Sequence, residues 1–99
     1  MPDQRIETTQ AIEALLDEAA EAHHVYERDA LNGVYDQQWP AWYAAYVVDR
    51  GLGKLVGRDL SAWAVGEQLA RASDEFRALD PQPAETWSAW TARRIALEG

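Results

Sequence analysis

An all-α fold, a compact bundle of about four helices, is predicted by three features of this 99-residue chain. Apolar residues recur at three- and four-residue spacing over three long stretches. No segment alternates with the strand period, and β-branched residues are scattered. Finally, Asn32-Gly33, Pro40, Gly51 and Pro83 stand where such helices would end or begin.

The first helix is predicted from a cap at Thr8 or Thr9 to about Leu31, where Asn32-Gly33 tolerates a left-handed exit. Ile12, Leu16, Ala19, His23, Tyr26 and Ala30 share one face, and Glu13, Asp17, Glu21, His24 and Arg28 the other. The second helix, about Pro40 to Arg50, has its proline in the first turn and Gly51 just beyond its end. Trp39, Trp42, Tyr43 and Tyr46 lie on one side of it; Ala41, Ala44, Ala45 and Val48 offer a second side that another helix can approach closely. Trp39 to Val48 is a run of ten uncharged residues, so this helix is expected at the centre of the bundle, packed on the first. Residues 51 to 57 carry three glycines and read as a loop or one short turn. Asp59 caps a third helix to about Leu79 with Ala62, Val65, Leu69, Ala72, Phe76 and Leu79 as its seam. The Asp80-Pro81-Gln82-Pro83 break leads to a fourth, about Pro83 to Leu97, with Trp87, Trp90, Arg94 and Leu97 on one face. Trp39-x-x-Trp42 and Trp87-x-x-Trp90 share a spacing, but their surroundings differ too much for a repeat.

Residues 1–99 are expected to form a single helical domain. With 47% hydrophobic and 26% charged residues the composition is that of a globular protein. Cysteine is absent, which excludes a disulfide framework and a thiolate metal site. The Met-Pro-Asp start has neither the basic nor the apolar region of a signal peptide, so a cytoplasmic location is expected. No apolar run approaches the roughly 20 residues that span a bilayer. Seventeen acids face nine bases, a net charge of −8, of which residues 1–50 carry −7 from ten acids and three bases. Such a field repels phosphate backbones and anionic lipid, so neither nucleic acid nor membrane is an expected partner.

Few residues can carry chemistry. Adjacent positions on a helix point about 100° apart, so His23 and His24 have different surroundings. His24 falls among charges on the solvated face, between Glu21 and Arg28. His23 falls on the apolar face with Glu27 one turn on, and a buried histidine and carboxylate require each other or further partners. Glu21-x-x-His24 is half of the ligand set of a ferritin-like di-metal bundle; a dimer burying the outer face would have to supply the rest. His23 and Glu27 with Asp36 or Asp49 are the candidates for a mononuclear site, but no metal or cofactor is expected from so short a ligand set. Gly51-x-Gly53 with Gly57 follows no strand and is a poor phosphate loop.

The residues His23-x-x-Tyr26-Glu27 and Asp36-x-x-Trp39-Pro40-x-Trp42-Tyr43-Ala44-x-Tyr46 resemble a pattern in small bacterial helical proteins of unknown function. The resemblance spans about residues 20 to 50 and implies that His23, Tyr26, Glu27, Asp36, Trp39, Trp42 and Tyr43 act as one constellation. The helical-wheel reading reaches the first three independently.

The function these observations favour is a non-enzymatic binding or accessory protein whose aromatic helical surface, including Tyr46, meets a protein partner or a second copy. The alternative is a small-molecule pocket, open to catalysis, between the first two helices. There His23 would be acid or base, oriented by Glu27, with Tyr26 and Tyr43 as hydroxyl donors and Trp39 and Trp42 as walls.

Overall fold

The computed structural model describes residues 2–57 and 59–98, with the side chains of residues 7–57 and 59–96. Five helices follow one another: α1 Pro2–Asp29, α2 Trp39–Asp49, α3 Leu52–Val56, α4 Ala62–Ala78 and α5 Trp87–Glu98. No strand occurs among the described residues. The all-α prediction therefore holds, with the glycine-rich stretch closing into a short helix of its own.

At about 1.5 Å per residue, the 28 residues of α1 span roughly 42 Å and set the longest dimension of the molecule, 46 Å. The helix begins well before Thr8, because nothing between Pro2 and Thr9 interrupts it and Pro2 suits a first turn. It ends at Asp29, two residues short of the predicted Leu31, but with the expected exit: Asn32 (φ 53°) and Gly33 (φ 81°) turn left-handed, and the Gly33 amide returns to the Glu27 carbonyl at 2.8 Å. Ala30 is past the last helical turn and exposed, not on the buried face. Leu15 is buried beside Leu16 instead.

α1 packs most extensively on α5, and α2 on α4, while α2 also crosses α1 and touches α3. The main partner of α2 is thus α4, not α1, and the two meet at Gly66. A side-chain carbon at that position would lie 3.4 Å from the Pro40 carbonyl oxygen and 3.6 Å from Ala44 Cβ, ordinary contact distances, so the helices are spaced to admit a methyl group and little more. Ala44 is buried there, whereas Ala41 and Ala45 face outward.

Two predicted helix starts move. Asp59 is exposed, and Ser61 caps α4, its extended backbone placing Oγ to accept the Ala64 amide at 3.1 Å. Pro83 does not open the last helix; the Thr86 hydroxyl accepts the Ala89 amide at 3.2 Å and starts α5 at Trp87. In both places a hydroxyl that satisfies an orphan amide outweighs the earlier signal. Residues 79–86 form an irregular connection, in which the Gln82 amide donates to the carbonyls of Phe76, Arg77 and Leu79 and Arg93 pairs with Glu85. Leu79 is therefore exposed, not part of the seam. On α5 the buried face is Ser88, Thr91, Ala92 and Ile95; Trp87, Trp90 and Arg94 are half-buried, and Leu97 lies outside the residues described at side-chain level.

The core is aliphatic: Ile12, Leu15, Leu16 and Ala19 of α1 meet Ala44 and Val47, Leu52, Val65 and Leu69, and Ala92 and Ile95. Trp39, Tyr43, Tyr46 and Trp87 pack against it from its edge and are only partly buried. These aromatic residues thus line the rim of the core rather than fill it.

Candidate functional site

His23 is buried on α1, and the left-handed turn at residues 32 and 33 brings Asp36 back beneath it. His23 Nε2 lies 2.9 Å from Asp36 Oδ2, and Nδ1 lies 3.8 Å from Glu27 Oε1. An ionised carboxylate only accepts, so Nε2 carries the proton in this contact. Glu27 is consequently not the group that orients the ring through a hydrogen bond; Asp36 is. Glu27 instead accepts the Asp36 amide on Oε2 at 3.0 Å, and Asp36 Oδ1 accepts the Gln38 amide at 2.8 Å just before α2 begins. The His23 hydrogen bond holds the Asp36 carboxyl below its ordinary value, outweighing the opposing effect of burial.

The ring of His23 is boxed by aromatics: Trp42 at 5.0 Å edge-on, Tyr43 at 5.2 Å and Tyr26 at 5.9 Å between centroids. From here the predicted site residues diverge. Tyr26, Trp42 and Tyr46 form one column, Trp42 stacking on Tyr46 at 5.4 Å and 16°. The Arg50 guanidinium lies 3.7 Å from the centre of the Tyr46 ring, whose hydroxyl donates to Glu18 at 3.1 Å. That column is a stack capped by a cation at its Tyr46 end.

Trp39 and Tyr43 turn to the other side and wall an open pocket of about 310 Å³ together with Tyr35 and Trp87. His23, Glu27 and Ser73 supply its polar lining. Trp39, Tyr43 and Trp87 meet pairwise edge to face, at 79°, 82° and 84° with centroids 5.3 to 6.1 Å apart, so their planes form a three-sided corner. Burial, reinforced by the negative charge of Glu27, pushes the Tyr43 hydroxyl above its usual range. Trp87 Nε1 and Thr91 Oγ1, one turn apart on α5, are buried without a hydrogen-bond partner.

All eight predicted site residues lie in or beside this cluster, but in two groups, and the pocket opens toward α4 and α5 as well as between α1 and α2. Ser73 and Trp87 join it from positions that α1 and α2 do not reveal. Trp87 carries the one available signal, a large aromatic near a helix start. Asp49 is elsewhere, paired with Arg50, and Glu21 and His24 are exposed. The mononuclear metal arrangement is not formed: neither His23, Glu27 and Asp36 nor any other three such side chains among the described residues are placed to hold an ion. No helix among the described residues is long and apolar enough to cross a membrane.

Comparison of the chain with protein-family models, with curated proteins and with solved structures gives no match.

Proposed function

We propose that this protein is a non-enzymatic binding protein and that the pocket beside His23 is its recognition element. The observation that carries this reading is the three-ring corner over a polar floor already locked by hydrogen bonds. A small recess with mostly aromatic walls and a few fixed polar groups is the usual form of a ligand site. His23 serves as a fixed floor: its Nε2 is engaged by Asp36, which in turn fixes the turn bearing Tyr35. A volume near 310 Å³ suits a ligand of about ten heavy atoms or one side chain of a partner. In an NMR screen of a chemically broad fragment library, binders should shift the indole resonances of Trp39 and Trp87 together with the Ser73 amide. A library that leaves all three unmoved sinks the reading.

Association with a second copy is favoured by a separate observation. Trp63 on α4 is 74% exposed and borders a recess of about 370 Å³ lined largely by Pro40, Ala41, Ala62, Gly66 and Ala70. A ring beside a matching hollow is self-complementary, as a two-fold interface requires, so each copy offers Trp63 to the other's recess. The contact surface is therefore Trp63 rather than the aromatic side of α2, whose rings are partly buried and already pack on one another and on the core edge. Sedimentation at micromolar concentration should show a dimer that Trp63→Ser converts to monomer; a wild-type protein that stays monomeric refutes it.

A further inference from the structure

We infer that the pocket selects a methylated ammonium group, carried either by a small quaternary ammonium compound or by a methylated lysine side chain; this rests on the ligand-binding reading above. The shape of the walls decides the shape of the guest. Two parallel rings would clamp a flat molecule, but Trp39, Tyr43 and Trp87 meet pairwise near 80° and leave a corner that fits a rounded, tetrahedral group. Ring faces carry the negative side of the aromatic quadrupole, so whatever face Trp39, Tyr43 and Trp87 leave open to the recess they line favours a cation there. Tyr35, 68% exposed, stands at the open side as a fourth ring.

The charges agree. Glu27 lies in the lining, and no Lys or Arg does. His23 with Asp36 adds no net positive charge in either protonation state of the ring, since the carboxylate 2.9 Å away balances it. The chain as a whole is at −8, which raises the local concentration of cations and disfavours anionic ligands. Methylation distinguishes the guest from a bare ammonium. A primary ammonium is strongly hydrated and needs several acceptors, which a wall of rings does not supply; a trimethylammonium presents an apolar surface and loses little on leaving water.

Titration calorimetry with choline and with its neutral carbon isostere, 3,3-dimethylbutan-1-ol, separates charge from shape. Choline should bind at least about tenfold more tightly than the isostere, because cation–π attraction is lost with the charge. Glu27→Gln, whose amide oxygen can still accept the Asp36 N–H, should weaken choline several-fold and leave the isostere unchanged. Trp39→Leu should abolish choline binding, its fold being checked by circular dichroism. A trimethyllysine peptide, measured beside the unmethylated peptide, distinguishes the two sources of the group: tighter binding of the methylated peptide than of choline assigns a protein ligand, the reverse a small molecule. Equal binding of choline and isostere overturns the cation selection while leaving a ligand pocket in place. Failure of choline and the methylated peptide alike, in a protein whose Trp39 and Trp87 resonances respond to other fragments, also overturns it.

Discussion

Replacing His23 by alanine should lower the unfolding free energy by about 2 to 4 kcal/mol, the range for truncating a buried side chain that also serves as a hydrogen-bond donor. The imidazole is 6% exposed, touches three aromatic rings and donates to Asp36, whose side chain is only 12% exposed. Its removal opens a void among the rings and leaves a mostly buried carboxylate without that partner. Acid stability should change with it. Because the folded Asp36 carboxyl titrates below its ordinary 3.8, it contributes stability that is complete above that value and lost as pH falls through the lowered one. Urea denaturation of the wild type should thus show a loss below about pH 4 to which Asp36 contributes, and that contribution should be missing in His23→Ala and in Asp36→Asn. A cost under about 1 kcal/mol together with an unchanged acid limb would mean that the pair does not hold the turn.

Substitution at Gly66 should have opposite signs according to size. The Cβ of alanine would meet its nearest neighbours at 3.4 and 3.6 Å, ordinary contact distances, while the helix gains roughly 0.5 to 1 kcal/mol from losing a glycine. Gly66→Ala should therefore leave stability unchanged or raise it slightly. The two methyl groups of Gly66→Val have no such room against the Pro40 carbonyl and Ala44, and overpacking of this kind costs about 1 to 3 kcal/mol. Thermal melts of the two variants check it: a lower midpoint for alanine would mean that α2 and α4 lie closer than these distances, and an unaltered one for valine that they lie farther apart.

Both expectations depend on contacts that periodicity reveals unevenly. The four longer helices were legible, because Ile12, Leu16 and Ala19, or Val65, Leu69 and Ala72, recur at the helical period and are buried; the short α3 was not, since the glycines at 51, 53 and 57 read as a loop or one turn. Helix starts were less so: Asp59 and Ser61 are both good caps two residues apart, and only the path of the chain selects Ser61. The His23 constellation was legible because a titratable group on an apolar face demands a partner, and Asp36 lies just beyond a left-handed turn that reverses the chain. Choosing Asp36 over Glu27 was not, since helical spacing favours the residue one turn on, yet its carboxylate approaches only to 3.8 Å. Trp87 and Ser73 lie on other helices, and their place in the pocket depends on how α4 and α5 pack, which no local pattern encodes. The small-residue side of α2 marked where another helix could approach, and Ala44 is indeed buried against α4, but nothing local named α4 as that helix.

Glu27 holds the α1–α2 connection twice, by its carbonyl to the Gly33 amide and by its carboxylate to the Asp36 amide. Between these two anchors hang only Val34 and Tyr35, 64% and 68% exposed. Of the two, Tyr35 lines the pocket, on a tip whose ends are fixed independently of what the tip contains. Under the proposed binding role, substitution at Tyr35 would alter the outer wall without disturbing the anchors or the aliphatic core, so ligand preference would diversify at that position while the fold stays constant.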